Sequence, residues 1–283
     1  MSNSIDAVLK DMIDSLNYDA VRSKIIDFLA RNLMESGKRC YIIGLSGGLD
    51  SSVTAKLTAD MLDIYKDRGR DNEWHLYALI MPHSTITPEC DIRDAIRLAD
   101  TLGIEHDIIY IDDIHSMLVE KIGIRSRMAE GNLLARLRMC LLYYHANVRD
   151  ALVLGTSDRS EIMIGYYTKY GDGAADLLPI AMLYKSQVRA LAMHLMLDES
   201  IVWKKSAPML WQGHYAEDEL RMSYDEIDAI LYCLLDKMLD IRDIVSTYGI
   251  DEAKVKRVRD MVTSTIHKRS MPPICDINKN GLQ

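Results

Sequence analysis

The sequence predicts a parallel β-sheet covered by helices on both faces. Short apolar runs alternate with longer amphipathic stretches, connections are short, and glycine-bearing polar segments follow the apolar runs. Residues 5–35 read as two amphipathic helices, with Ile5, Val8, Leu9, Met12 and Ile13 at helical spacing on the first. A buried strand runs from Cys40 to Leu45, followed by a Gly-Gly turn and a helix from about Asp50 to Tyr65. Residues 66–73, KDRGRDNE, make a charged surface connection. Trp74 to Met81 is the second strand, ending at Pro82, and PHSTITPECD has the chemistry of a loop. Ile92, Ala95, Ile96, Leu98 and Ala99 mark a helix from Cys90 to Leu102. Glu105 to Ile111 is the third strand, Met128 to Val148 a long helix, and Ala151 to Leu154 a short buried strand closing on Gly155-Thr156. A polar, glycine-rich stretch from Tyr166 to Pro179 precedes helices at 183–197, 224–240 and 251–266. No long linker interrupts this order, so residues 1–283 read as one α/β unit with extra helices at both ends.

Composition narrows the function classes. A net charge of −8 without a dominant basic stripe argues against a protein that coats nucleic acid. No apolar run approaches the ~18 residues of a membrane span, and the N-terminus carries acids where a signal peptide has its apolar core. The five cysteines are scattered with no CxxC, and the histidines form no HExxH pair. Reduced thiols in a cytoplasmic protein are expected, rather than a disulfide frame or a zinc site.

In an open parallel sheet, ligands sit beyond the carboxyl ends of the strands. The loops at 44–52, 82–90 and 155–161 all begin there. The first holds Gly44-Leu45-Ser46-Gly47-Gly48, which matches the G-x-S-x-G elbow of serine hydrolases. That reading leaves Asp50-Ser51-Ser52 unexplained and puts the elbow unusually early, on the first strand. Two glycines after a strand also make a nest of outward N–H groups at a helix N-terminus, suited to phosphate. Ser46, Ser51 and Ser52 add hydroxyl donors. Asp50 repels phosphate unless a cation lies between them, and Mg²⁺ resolves that conflict. The bland alternative is that Asp50 and the serines cap the helix.

Glu161, on the first turns after the fourth strand, brings a second carboxylate toward the same crevice. Tyr166-Tyr167-Thr168-Lys169-Tyr170 combines aromatics with a cation. Asp172 and Asp176 are placed either to accept from ribose hydroxyls or an amide, or to sit in a solvated turn. Lys185 starts a helix, where a cation opposes the helix dipole unless an anion is also present, so it is a candidate phosphate partner.

SGGLDS, residues 46–51, resembles the SGGxDS signature of the N-type ATP pyrophosphatases, a Rossmann-like group. GTSDRSEIMIGYYTKYGDGAADLLPIAMLYKSQVRALA, residues 155–192, is similar to the corresponding region of NAD⁺ synthetases. So are Asn132 to Met139, Tyr224-Asp225-Glu226-Ile227-Asp228 and His267-Lys268-Arg269, in the family's order.

The resemblance implies an ammonia-dependent ligase in which ATP adenylates the nicotinate carboxylate of nicotinic acid adenine dinucleotide. Pyrophosphate leaves, and ammonia then displaces AMP. It implies a homodimer, Mg²⁺ held by Asp50 and Glu161, and catalysis by Asp50, Glu161 and Lys185. Ser46, Gly47, Gly48, Ser51, Ser52, Arg136, Thr156, Lys185 and Ser206 would bind ATP and pyrophosphate. Lys169, Asp172, Asp176, His267 and Lys268 would hold the dinucleotide.

The length leaves no room for the glutaminase domain that some members carry, so nitrogen is expected from free ammonia or a separate partner. One segment departs from the family. Where the family has an S/T-A pair this chain has Ser206-Ala207-Pro208, with Ala207 opposite the hydroxyl residue unless a one-residue shift lets Ser206 serve. The family's D-E-x-E-L-G run becomes Ala216 to Arg221. This departure motivates two alternatives, a related adenylating amide ligase with another carboxylate substrate and an impaired nucleotide-binding homologue.

Overall fold

The computed structural model describes residues 4–67, 74–123 and 126–275. In chain order it contains α1 (Ser4–Asp14), α2 (Tyr18–Ser36), β1 (Cys40–Gly44), α3 (Leu49–Asp67), β2 (His75–Ile80), α4 (Glu89–Thr101) and β3 (Glu105–Ile108). There follow α5 (Asp112–Ile122), α6 (Arg127–Val148), β4 (Ala151–Leu154), α7 (Arg159–Ile164), α8 (Lys185–His194) and α9 (Glu199–Val202). The last are α10 (Ala216–Leu220), α11 (Tyr224–Leu231), α12 (Ile241–Tyr248) and α13 (Glu252–Ser264).

The four strands form a parallel sheet in the order β3-β2-β1-β4. β1 is central, with Ile42 opposite Tyr77 on one side and Val153 on the other. Its near-continuous apolar sequence suits a strand buried on both faces. Tyr41 and Ile43 pack with residues of α2, α3, α4 and α8, while Cys40 and Ile42 pack with Leu134 and Ala146 of α6. The expected two-faced sheet is therefore observed. Tyr41 donates its hydroxyl to the carbonyl of Leu29 at 2.7 Å, tying α2 to the sheet. Asn17 caps the start of α2, and Gly37, at φ 68°, ends it.

A second apolar cluster gathers Val8 and Met12 of α1, Ile227 and Ile230 of α11, and Val255 and Val258 of α13. Tyr184 belongs to it, whereas Val188 and Leu191 belong to the sheet's core. The start of α8 thus lies between two cores.

The structure differs from the sequence expectations at several ends. β3 stops at Ile108 because its ladder partner β2 stops at Ile80, after which Ile109 donates to the Ile80 carbonyl at 2.8 Å and the chain turns. α5 was not anticipated, since Val119 is its one buried residue and so little apolar patterning announces it. The predicted 224–240 helix ends at Leu231 and widens into a π turn over Tyr232–Asp236. The predicted 183–197 helix ends at His194, with α9 separate beyond it. Most of the charged connection at 66–73 lies outside the described residues.

Because β2 and β3 lie on one side of β1 and β4 on the other, the topological switch point falls between β1 and β4. The glycine turn and the 155–161 loop leave the sheet there, side by side.

Candidate active site

A cavity of about 680 Å³ opens beyond the carboxyl ends of β1, β2 and β4, and all three loops singled out above contribute to its wall. The glycine turn is held from behind. Gly47 adopts φ 73°, and a Cβ there would lie 2.1 Å from the Asp91 carbonyl oxygen, so only glycine fits. Lys204 donates to the Gly47 carbonyl at 2.8 Å and pairs with Asp91 at 2.9 Å and Asp94 at 2.5 Å. In front, the Ser46 and Ser51 hydroxyls lie 3.0 Å apart, and the Gly48 amide donates to Ser46 Oγ at 3.2 Å. Ser52 is fully buried and donates to the Gly48 carbonyl at 2.7 Å. The serines build the turn and leave the α3 N-terminus facing the cavity.

Across the cavity floor, Lys185 enters from the first residue of α8, only 2% exposed. Its Nζ lies 2.6 Å from Asp50 Oδ2, 2.9 Å from Asp158 Oδ2 and 2.9 Å from Glu161 Oε1. Burial opposes its charge, but Asp158, Asp50 and Glu161 outweigh it and hold the ammonium pKa well above its usual value. Burial acts the other way on the acids. It raises Asp158 to about 6 and Glu161 well above the carboxylate range, against the pull of Lys185 and with help from the neighbouring carboxylates. The three carboxylates each bring an oxygen within 4.8 Å of the others, and Asp50 Oδ1 is buried without a hydrogen-bond partner among the described residues. Hard oxygen donors with an unspent lone pair suit Mg²⁺.

Beneath this cluster Asp228 is fully buried and accepts from the Ser160 and Ser186 hydroxyls and, at 2.8 Å, from the Ser186 amide. Ser160 Oγ also accepts from the Lys185 amide at 2.9 Å, so α7, α8 and α11 are pinned at one point. Burial and the Asp158 charge push Asp228 up to about 7. A carboxyl whose pKa is higher folded than unfolded binds its proton more tightly in the native state. Its contribution to stability therefore grows as pH falls from about 7 toward the ordinary value of 3.8. Thermal unfolding from pH 8 to pH 5 should consequently shift in favour of the wild type relative to Asp228→Asn, which does not titrate. A pH-independent gap would contradict this.

Of the residues predicted from sequence, Ser46, Gly48, Asp50, Ser51, Thr156, Glu161, Asp172, Lys185, Ser206 and Lys268 line the cavity. Asp172 accepts from the Thr168 amide at 2.9 Å, and Lys268 donates to the carbonyls of Gly165 and Tyr167 at 2.7 and 2.8 Å. Others lie elsewhere. Arg136 is exposed and donates to the Lys169 carbonyl at 3.3 Å, while Lys169 donates to the carbonyl of the exposed His267. Asp176 lies alongside β4, accepting from the Val153 amide at 2.7 Å and from Tyr143 at 3.3 Å. Gly47 and Ser52 stand behind the wall. Sequence reasoning missed Asp158, Lys204, Arg138, Tyr224 and Asp228.

The sequence profile described as NAD synthase matches residues 21–272. The NH(3)-dependent NAD(+) synthetase of Hyperthermus butylicus is 45% identical over 269 residues, covering 95% of this chain and 94% of that one. The chain belongs to the NAD synthase family. This is a family of ligases that form a carbon–nitrogen bond. Among solved structures, the NH3-dependent NAD synthetase from Campylobacter jejuni superposes with TM-score 0.74 at 29% identity, covering 92% of this chain and all (100%) of that one. The NMN synthetase from Francisella tularensis does so with TM-score 0.77 at 31% identity, covering 92% and 98%.

Within this NAD synthase fold the departing 206–221 segment forms part of the cavity wall, with both Ser206 and Ala207 lining it. Tyr166 donates to Glu219 at 2.7 Å, and His214 meets the same carboxylate at 2.7 Å. Trp211 stacks on His214 with ring centroids 3.6 Å apart, and the Arg127 guanidinium lies 4.4 Å from the Trp211 ring. Arg221 is exposed and holds φ 50° at the end of α10. A non-glycine residue is strained there, so Arg221→Gly should stabilise the protein by about 0.5–1 kcal/mol in urea unfolding. An unchanged or lower midpoint would show that the side chain compensates.

Proposed function

We propose that the chain is an ammonia-dependent NAD⁺ synthetase. The observation that carries the reading is Lys185 at the centre of Asp50, Asp158 and Glu161, facing the glycine turn. The glycine turn, with its serine hydroxyls, and the start of α3 would receive the departing pyrophosphate. Lys185 would neutralise charge developing on the phosphorus under attack, and no protein nucleophile is required. Asp50 and Glu161 would hold Mg²⁺, with Asp158 beside them, and the bound ion would screen the polyphosphate from these acids. The attacking group is the nicotinate carboxylate of nicotinic acid adenine dinucleotide, and ammonia then displaces AMP to leave the amide.

We read the chain as one catalytic unit acting as a cytoplasmic homodimer and supplied with free ammonia or by a separate partner. No helix among the described residues is long and apolar enough to cross a membrane. A second reading keeps the chemistry and changes the carboxylate. It is favoured by the altered 206–221 wall and by the similarity to a protein described as an NMN synthetase.

The test incubates the protein with ATP, Mg²⁺, ammonium and nicotinic acid adenine dinucleotide, with nicotinic acid mononucleotide in a parallel reaction. NAD⁺, AMP and pyrophosphate formed only with the dinucleotide support the first reading. Preference for the mononucleotide supports the second. ADP formation, or ATP turnover without either acid, overturns both.

A further inference from the structure

Tyr224 opens α11, held by the Ser223 cap of that helix and by a bond from its own amide. The Glu226 amide donates to Ser223 Oγ at 3.2 Å, and the Tyr224 amide donates to Glu217 at 2.8 Å. Its side chain is 2% exposed and lines the same cavity as Asp50, Glu161 and Lys185. The ring lies 5.0 Å from Lys185 Nζ, giving the ammonium an aromatic face as well as its carboxylates. Its hydroxyl is buried yet has no hydrogen-bond partner among the described residues. Such groups are costly to keep, and a native chain that keeps one beside a ligand cavity has a use for it.

We propose that the Tyr224 hydroxyl is a hydrogen-bond donor to the bound nucleotide, directed at an anionic phosphate or carboxylate oxygen beside Lys185. The inference rests on the reading of this cavity as an ATP site. The local charge explains the choice of a phenol. Three carboxylates already surround one lysine, and a second ammonium beside Lys185 would repel it. A phenol donates without adding charge. Burial, with Glu161, Asp158 and Asp50 nearby, keeps it protonated well beyond its ordinary range despite Lys185, so it stays a donor at any working pH.

The test is Tyr224→Phe, which keeps the ring, its packing and its face toward Lys185 while removing the oxygen. Ligand-free thermal stability should stay unchanged or rise, because an unpartnered buried polar atom is lost. The value of kcat/KM for ATP should fall about 10- to 100-fold, the usual effect of losing a hydrogen bond to a charged group. The rise in unfolding temperature produced by ATP with Mg²⁺ alone should shrink in parallel. A lower kcat with an unchanged thermal shift also supports donation, made in the transition state only.

Wild-type kcat/KM together with a wild-type shift would overturn the proposal. So would a loss of ligand-free stability large enough to account for the lost activity. The thermal-shift arm needs no acid substrate. A wild-type protein that responds to ATP but makes no NAD⁺ would count against the proposed reaction and leave the Tyr224 comparison intact.

Discussion

Replacing Lys185 with methionine is expected to abolish turnover and to lower stability at neutral pH by about 3–5 kcal/mol, the usual cost of stripping one partner from a buried ion pair. Methionine retains an unbranched apolar stem but removes the nitrogen that lies within 2.9 Å of Asp50, Asp158 and Glu161. The three acids would then share a buried space with no cation. Protonation is their way out, and burial has already moved Asp158 to about 6. The sign of the pH dependence follows. Lys185 pulls Asp158 down, so its loss moves that carboxyl above its wild-type position. The folded variant then holds protons that the unfolded chain releases, and its deficit should narrow as pH falls from 7.5 to 5.0. Urea unfolding at pH 7.5 and pH 5.0 measures this. An equal loss at both values would mean that Lys185 matters for packing and not for charge.

Asp50→Asn should separate activity from stability. Turnover is expected to fall on the order of 10²–10³-fold or more, since a residue aimed at the reacting charge and its metal is lost. Ligand-free stability should hold or rise slightly. Lys185 keeps Asp158 and Glu161, and the unpartnered Oδ1 of Asp50 no longer carries charge among two other acids. This is the trade expected at a site built for a ligand. Differential scanning fluorimetry with and without ATP and Mg²⁺ reads both quantities. A variant that melts well below the wild type without ligand would make Asp50 a structural partner.

The parts of the site that were legible in sequence are local. An apolar run ending in Gly47-Gly48 and a hydroxyl cluster around Asp50 announce a strand, a turn and a helix start within a dozen residues. Asp158 was harder to see because Asp158-x-x-Glu161 is satisfied as a helix cap, with the Glu161 amide donating to Oδ1 at 2.8 Å. Its other oxygen reaches Lys185 only once α8 has packed. Lys204 meets the Gly47 carbonyl from 157 residues away, a contact no local pattern reports. The arginines of α6 show a different limit. Arg136 and Arg138 stand two positions apart, about 200° around a helix, so a motif containing both leaves the face undecided. Arg138 is the one that lines the cavity, donating to the Met81 carbonyl at 3.1 Å.

Asp176 has a consequence beyond the cavity. With the Leu177 backbone it occupies the free flank of β4, where the Asp176 amide donates to the Val153 carbonyl at 2.9 Å and the Gly155 amide to the Leu177 carbonyl at 2.8 Å. The opposite margin, β3, reads Glu105-His106-Asp107-Ile108, with two carboxylates along four residues. An uncovered strand margin invites another chain to add to the sheet. Here one margin is filled by the protein's own backbone and the other is guarded by negative charge. Neither margin of the sheet therefore offers a bare, uncharged strand edge to another chain.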